Sequence, residues 1–517
     1  MNRKQEYIVV FLIFICAFFS RIYFLEYNQI ISTDGSYYID IAENIIEERG
    51  FVSDYLEEIS YNYSLPHFAR QHPPLFPVLI SIFFYFFGIS FFSAKMVSVL
   101  FGSLMVFAIF YLAKELFSRT IAIFSALVAI VYEPLIRYSV IVGTEVTFSL
   151  FILLSVLFFI RALKNENHLY PFLCAISLLL ATLTRIQGLL IILVFFLAYM
   201  ITLKNRVFEK HKKFWILFSI YIIFNIFFLS LEFANGVNNF QFTIMRLTPI
   251  RNMVDYETFL HSPELLTKTY SKIVESPIEI LLIIMRNFSL TITSILFLLL
   301  NPVIYAFSIF GFILLLNRFK DYFLIYTVIF IHFFISSVRY EEASKFLIPV
   351  VPFFIISSIF GIYEMFKILR KRKIKNYIVN SIAIFLTLFL SAIILFNSFN
   401  YIDDQECFFE RDIGTYLQKF TSKNSVISSP YPEVAYYAKT RWITLPFCNY
   451  SCSLSVYEKY NVSYVVLYDD DFIVIHPDIE FLLYNDKING TKNLQLLRES
   501  ENPKYRIYKI INYETSD

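Results

Sequence analysis

A carboxylate at the end of an apolar helix, with cations close by, can take a proton from a hydroxyl and stabilise a departing phosphate. Five stretches of this 517-residue chain carry residues of that kind. The first is Ser32-Thr33-Asp34-Gly35, where Asp34 follows the first apolar run. Asp34 is a general-base candidate, and its type also suits a helix cap. Tyr37, Tyr38, Ile41 and Ile45 then form a stripe at helical spacing, as a helix lying along a bilayer surface requires. The second stretch, Arg70-Gln71-His72-Pro73-Pro74, offers His72 as acid/base group, ligand or hydrogen-bonded surface histidine. The third pairs Glu133 and Arg137 with Gly143-Thr144-Glu145. The fourth is Arg185, in a polar hinge between two apolar runs, whose planar fork fits a phosphate or snorkels to lipid headgroups. The fifth runs from Arg339 through Glu342 to Lys345.

The elements that must position these residues are membrane helices. The chain is 57% hydrophobic, 19% aromatic and only 17% charged, more apolar surface than a soluble fold hides. A net charge of +2 gives no field suited to nucleic acid. Apolar windows at 7–25, 93–113, 120–139, 145–160, 171–186, 188–203, 214–231, 301–316, 321–338, 346–363 and 377–396 predict about eleven spans. Two more runs, 75–91 and 278–300, are placed at the membrane surface or as re-entrant pieces. Counting either alone as a span would invert the side of the basic loops that follow it. Those loops (Arg3 and Lys4, Lys114 and Arg119, Arg161 and Lys164, 204–213, Arg318 and Lys320, 367–375) then share one side, which the positive-inside rule makes cytoplasmic. The acidic first loop and all five stretches fall on the outer face. So do the glycosylation-type sequons at Asn62, Asn287, Asn449, Asn461 and Asn489. The expectation is a multi-pass protein of the plasma membrane with a cytoplasmic N-terminus. Residues 1–400 form its all-α polytopic bundle and 401–517 a small extracytoplasmic α/β domain, since short β-type runs there alternate with helical ones. Cys407, Cys448 and Cys452 allow one disulfide in that domain and leave one cysteine over.

The order of the motifs resembles the integral-membrane glycosyltransferases of the GT-C fold, closest to the protein O-mannosyltransferase-like group that includes the aminoarabinose transferase acting on lipid A. The resemblance is carried by Asp34-Gly35-Ser36-Tyr37-Tyr38, the His72 to Pro77 stretch, Thr144-Glu145, Leu183-Thr184-Arg185 with Gly188, and Lys345 to Pro352. It implies an inverting transferase that takes a sugar from a polyprenyl-phosphate carrier to a lipid, glycan or protein acceptor. Asp34 would be the base. Lys345, with Arg339 as its rival, and Arg185 would meet the donor phosphate. His72, Glu145, Arg137 and Tyr38 would form the acceptor or metal rim, with His72 and Glu145 as ligands should a divalent metal take part. Members often carry a second acid where this chain has Gly35, which puts a paired-acid mechanism in question. From other classes come a transporter or flippase of a lipid-linked sugar, and a non-catalytic scaffold.

Overall fold

The computed structural model describes residues 3–26, 31–56, 64–69, 72–165, 167–203, 214–215, 217–226, 276–339, 343–371, 408–446, 448–468, 477–484 and 491–513. The expected span 377–396 lies outside them. In chain order the helices of the first part are α1 (Arg3–Phe24), α2 (Thr33–Ile46), α3 (Leu75–Phe87), α4 (Phe91–Leu116), α5 (Arg119–Val131), α6 (Glu133–Val140), α7 (Glu145–Lys164), α8 (Leu169–Thr184), α9 (Gly188–Leu203), α10 (Leu217–Ile226), α11 (Pro277–Leu290), α12 (Pro302–Leu315), α13 (Phe319–Val338), α14 (Ala343–Leu347) and α15 (Val351–Lys371). Among the described residues six helical runs are long and apolar enough to cross a membrane. The bent pair α5–α6 makes a seventh, and four apolar helices are shorter.

The bend between α5 and α6, 55°, follows from Pro134. Proline cannot donate to the carbonyl four residues back, so the Ile130 carbonyl loses its helical partner. Ser20 donates to that carbonyl at 3.1 Å, and the fully buried Arg21 donates to it at 3.4 Å and to the Ala129 carbonyl at 3.4 Å. An arginine inside the bundle is thus held by the carbonyls that a helix break exposes. Across the bundle the Tyr132 hydroxyl donates to the Leu299 carbonyl at 2.8 Å and accepts from the Asn301 amide at 3.3 Å. That second break, Asn301-Pro302, divides α12 from the run above it.

Run 278–300, expected at the surface or re-entrant, is helical. Helix α11 continues through a π-helical turn (Thr291–Ile295) to Leu299, and Pro277–Ile295 is long enough to span. Phe288 packs on Phe330 and Phe333 of α13, and the Asn287 amide donates to the Ser337 carbonyl at 3.1 Å. Asn287 is therefore a buried packing residue, and its sequon match is incidental.

Helix α3 does stop short. Its 13 residues reach about 20 Å, against about 30 Å of hydrocarbon. Gly88, at φ 81°, ends it. Phe76, Ile80 and Phe84 pack with Tyr38, Ile39 and Ala42 of α2 and with Ala94 and Val97 of α4, while Tyr85, Phe86 and Phe87 stay exposed.

The C-terminal part holds α16 (Phe408–Leu417), α17 (Glu433–Ala438), α18 (Tyr450–Tyr460) and α19 (Pro477–Tyr484) around a six-stranded sheet. In the first loop lie β1 (Val52–Ser53), β2 (Tyr55–Leu56) and β3 (His67–Phe68). In the C-terminal part lie β4 (Val426–Ser428), β5 (Arg441–Ile443), β6 (Val462–Tyr468), β7 (Leu494–Glu501) and β8 (Lys504–Ile510). The sheet order is β2-β5-β4-β6-β8-β7. β2, β5, β4 and β6 run parallel, and the β7–β8 hairpin runs antiparallel beside β6. The edge strand β2 comes from the first loop, with Tyr55 opposite Trp442. Cys448 and Cys452 form the disulfide.

Candidate functional site

The site grows from the N-terminus of α2. Ser32 is the cap: its hydroxyl accepts from the Gly35 amide at 3.1 Å. The capping role considered for Asp34 is therefore filled by its neighbour. The Asp34 side chain is 46% exposed, with Oδ2 3.5 Å from the Lys345 ammonium. Lys345 sits on α14, at the far end of the chain's helical part, so the pair joins two of the five stretches.

Gly35 has a steric reason. A Cβ there would lie 2.9 Å from Ser32 Oγ and 3.1 Å from the Val142 carbonyl oxygen. The first turn of α2 presses on the backbone just before α7, and an acid does not fit at position 35. The site's second carboxylate comes instead from Glu145, the first residue of α7. It is 4% exposed and pairs through Oε1 with Arg185 at 2.8 Å. Arg185 also donates to Thr144 Oγ1 at 3.0 Å. Glu145 Oε2, buried against Gly143, has no hydrogen-bond partner among the described residues.

Phe346, next to Lys345, carries two guanidiniums. Arg185 lies 4.9 Å and Arg339 5.3 Å from its ring centre. This cation–π arrangement holds two positive charges close to one apolar surface. Arg137 is exposed on the last turn of α6, while neighbouring Tyr138 reaches Ser344 at 3.4 Å and so ties α6 to α14. Tyr38 is buried beside these groups. Burial pushes its phenol well above the ordinary tyrosine range, and the charges of Asp34 and Glu145 add to that, while Arg185 and a hydrogen bond with Thr144 oppose it. The phenol therefore stays neutral and able to donate. His72 packs at 4.9 Å on the Tyr37 ring and 5.2 Å on the Tyr38 ring, at the seam between α2 and α3.

One end of the bundle thus gathers Asp34, Lys345, Glu145, Arg185, Arg339 and Tyr38. The opposite end of α4 and α7 holds the basic loops. There Glu6 pairs with Lys114 and with Arg119 (2.7 Å), and Glu115 pairs with Arg161 (3.2 Å) and Lys164 (2.9 Å). Among the described residues no three His, Cys, Asp or Glu side chains converge, and one oxygen of Glu145 is engaged by Arg185. The described side chains do not make a metal cage, and no step is assigned to a metal.

Three features were missed by sequence reasoning. Phe346 was read only as part of an apolar motif. Thr33 and Glu433 meet across the junction with the C-terminal part, Thr33 Oγ1 donating to Glu433 Oε1 at 2.5 Å. Asp40, on the next turns of α2, is a buried carboxyl that accepts from Ser53 Oγ at 2.6 Å and the Asp54 amide at 2.9 Å. No local pattern announces contacts between residues 400 apart.

The family model described as dolichyl-phosphate-mannose-protein mannosyltransferase matches residues 71–230. No curated protein matches the sequence. Among solved structures the chain is similar to ArnT from Cupriavidus metallidurans, solved bound to undecaprenyl phosphate, at 11% identity and a TM-score of 0.60 over the full length of both chains. It is also similar to the Archaeoglobus fulgidus oligosaccharyltransferase tethered with an acceptor peptide, at 14% identity and a TM-score of 0.62 over 90% of this chain and 69% of that one. The same enzyme, as AglB with an inhibitory peptide and a dolichol-phosphate, matches at 13% identity and a TM-score of 0.59 over 90% and 70%. Its complex with Zn and sulfate matches at 15% identity and a TM-score of 0.60 over 89% and 67%. The chain has the GT-C fold of these membrane glycosyltransferases.

Proposed function

We propose that the protein is a GT-C glycosyltransferase that moves a sugar from a polyprenyl-phosphate carrier to a hydroxyl of a lipid, glycan or protein, with inversion at the anomeric carbon. One observation carries the reading. An exposed carboxylate, Asp34, stands 3.5 Å from the cation Lys345, at the end of an apolar bundle where Arg185 and Arg339 flank Phe346. The family match over residues 71–230 and the fold likeness to proteins solved with undecaprenyl phosphate and dolichol-phosphate support it.

The chemistry assigns each group a task. Asp34 accepts the proton of the acceptor hydroxyl as its oxygen bonds to the anomeric carbon. The bond from that carbon to the phosphate oxygen breaks, and its electron pair leaves with polyprenyl phosphate. Lys345 and Arg339 stabilise that anion. Arg185 carries less of the load, because Glu145 already offsets its charge. A phosphate leaves without help from a strong acid, so a single carboxylate suffices as catalyst. General-base assistance contributes roughly 10²–10⁴-fold.

The site faces the side opposite the basic loops, which the positive-inside rule makes extracytoplasmic. The C-terminal α/β domain shares that side, and the membrane is the plasma membrane. The fold likeness to glycosyltransferases solved with polyprenyl phosphates supports the transferase reading over a transporter of the same lipid. The test is direct: purified protein is incubated with polyprenyl-phosphate sugars and candidate acceptors, and released polyprenyl phosphate is measured. No release beyond a protein-free control with any donor would remove the reading.

A further inference from the structure

The C-terminal domain touches the bundle at one informative place. The segment that presents Asp34 is Ile31-Ser32-Thr33-Asp34, and two of its residues are bonded to α17. The Ile31 amide donates to the Tyr437 hydroxyl at 3.2 Å, and the Thr33 hydroxyl donates to Glu433 Oε1 at 2.5 Å. Glu433 and Tyr437 stand four apart on one face of α17 and bracket the Ser32 cap from above. Below, Gly35 abuts the Val142 backbone. The turn bearing the carboxylate is thus held between two elements that the chain brings in from opposite directions.

The rest of the junction keeps α17 in place. Trp442 of β5 meets the Tyr37 ring of α2 at 6.1 Å and the Tyr55 ring of β2 at 6.3 Å, and its amide donates to the Asp54 carbonyl at 3.1 Å. Arg441 pairs with Asp54 at 3.2 Å. Tyr436 packs on Phe91, the first residue of α4. These contacts lie along the sides of α2 or beyond it, whereas the Glu433 and Tyr437 bonds reach the residues beside Asp34. Lys423 pairs with Glu47 at the far end of α2.

We infer that α17 is a positioning element for the Asp34 carboxylate, with Glu433 and Tyr437 as its positioning residues, so that the C-terminal domain is part of the transfer machinery. The inference rests on the proposed role of Asp34. Geometry gives the reason it matters: a base misplaced by about 1 Å can lose 10²-fold in rate. Glu433 acts on orientation, so its loss lowers kcat and leaves donor KM unchanged. Its amide replacement keeps an acceptor for the Thr33 hydroxyl and retains the rate.

The experiment uses the full-length protein in detergent or nanodiscs and a double-mutant cycle at Thr33 and Glu433. Glu433→Ala and Thr33→Ala are each expected to lower kcat about tenfold or more. The double variant should fall no further than either single one, and Glu433→Gln should stay within about threefold of wild type. Lys423→Gln serves as the control at the distant contact and keeps wild-type kcat. Hydrogen exchange of the peptide covering 31–40 is read in parallel and should accelerate in Glu433→Ala and in Tyr437→Phe, since the Ile31 amide loses its partner only in the latter and its support in the former. Full additivity of the two alanine variants, or unchanged exchange at 31–40 in both variants, overturns the inference. A wild-type protein that releases no polyprenyl phosphate sinks the functional reading instead, and the exchange data still decide whether α17 holds the turn.

Discussion

Gly35 gives the sharpest prediction, because the space around it is measured. An alanine Cβ would lie 2.9 Å from Ser32 Oγ, 3.1 Å from the Val142 carbonyl oxygen and 3.2 Å from Val142 Cβ. The hydroxyl can swing aside, but doing so gives up the cap on the Gly35 amide, worth about 1 kcal/mol. The Val142 backbone belongs to the turn that leads to Thr144 and Glu145 and cannot yield alone. The full cost of such overpacking is about 1–3 kcal/mol. Where it is relieved by moving α2 away from α7, it moves Asp34 away from the group around Glu145 and Arg185. A displacement of about 1 Å can cost about 10²-fold in rate, so Gly35→Ala lowers kcat by up to roughly 100-fold, while the overpacking itself lowers the unfolding midpoint. Gly35→Asp costs more, since it adds a carboxylate to the same gap. The assay is release of polyprenyl phosphate, with thermal unfolding of the purified variant alongside. Ser32→Ala/Gly35→Ala removes the 2.9 Å contact and should still be impaired, because the Val142 contact remains. Wild-type kcat in Gly35→Ala, with an unshifted unfolding midpoint, would refute the packing argument.

Other expectations follow from the same geometry. Lys345→Gln should raise donor KM more than acceptor KM, and Arg185→Gln should do so less, because Glu145 already offsets that charge; equal donor effects would reverse the ranking. Burial first, then the neighbouring Asp54 charge, raises the Asp40 carboxyl well above its ordinary range, while Ser53 and the Asp54 amide oppose this. A folded-state value above the unfolded one means stability is fullest below the unfolded value and declines as pH rises toward the folded one. Asp40→Asn should therefore gain thermal stability over wild type as pH goes from about 4 to about 8, and a pH-independent difference would count against the buried charge. Cysteine labelling at Lys373 and Asn489 should report cytoplasmic and extracytoplasmic sides respectively, and labelling of both from one side would refute the orientation.

Much of the bundle was legible because lipid leaves few choices: a helix must be about 20 apolar residues long, and proline or glycine must mark where it stops or bends. Of the two breaks expected in 75–91, Gly88 ends α3, while Pro77 is carried in its first turn. Run 278–300 is harder, because Pro277–Ile295 has the length and apolarity of a span while the basic loops that follow set it apart from the spans. The grouping of Asp34, Glu145, Arg185 and Lys345 was legible from the order of apolar runs and basic loops, and the structure brings the four to one end of the bundle. Their pairing was not legible. Whether Arg185 meets Glu145 or another acid depends on how α7 and α8 are rotated, which periodicity in an all-apolar helix does not encode. Least legible was the junction, where the two-residue strand β2 joins a sheet whose other strands lie beyond residue 425. A pair as short as Tyr55-Leu56 carries no period of its own.

The central claim is that Asp34 is the base of a sugar transfer, and a single substitution bears on it most directly. Asp34→Asn keeps the size and hydrogen-bonding shape of the side chain, and Ser32 continues to cap the helix. Release of polyprenyl phosphate by purified Asp34→Asn, measured at saturating donor and acceptor against wild type, should fall by roughly two orders of magnitude or more while the unfolding midpoint stays put. Turnover within a few-fold of wild type would contradict the account.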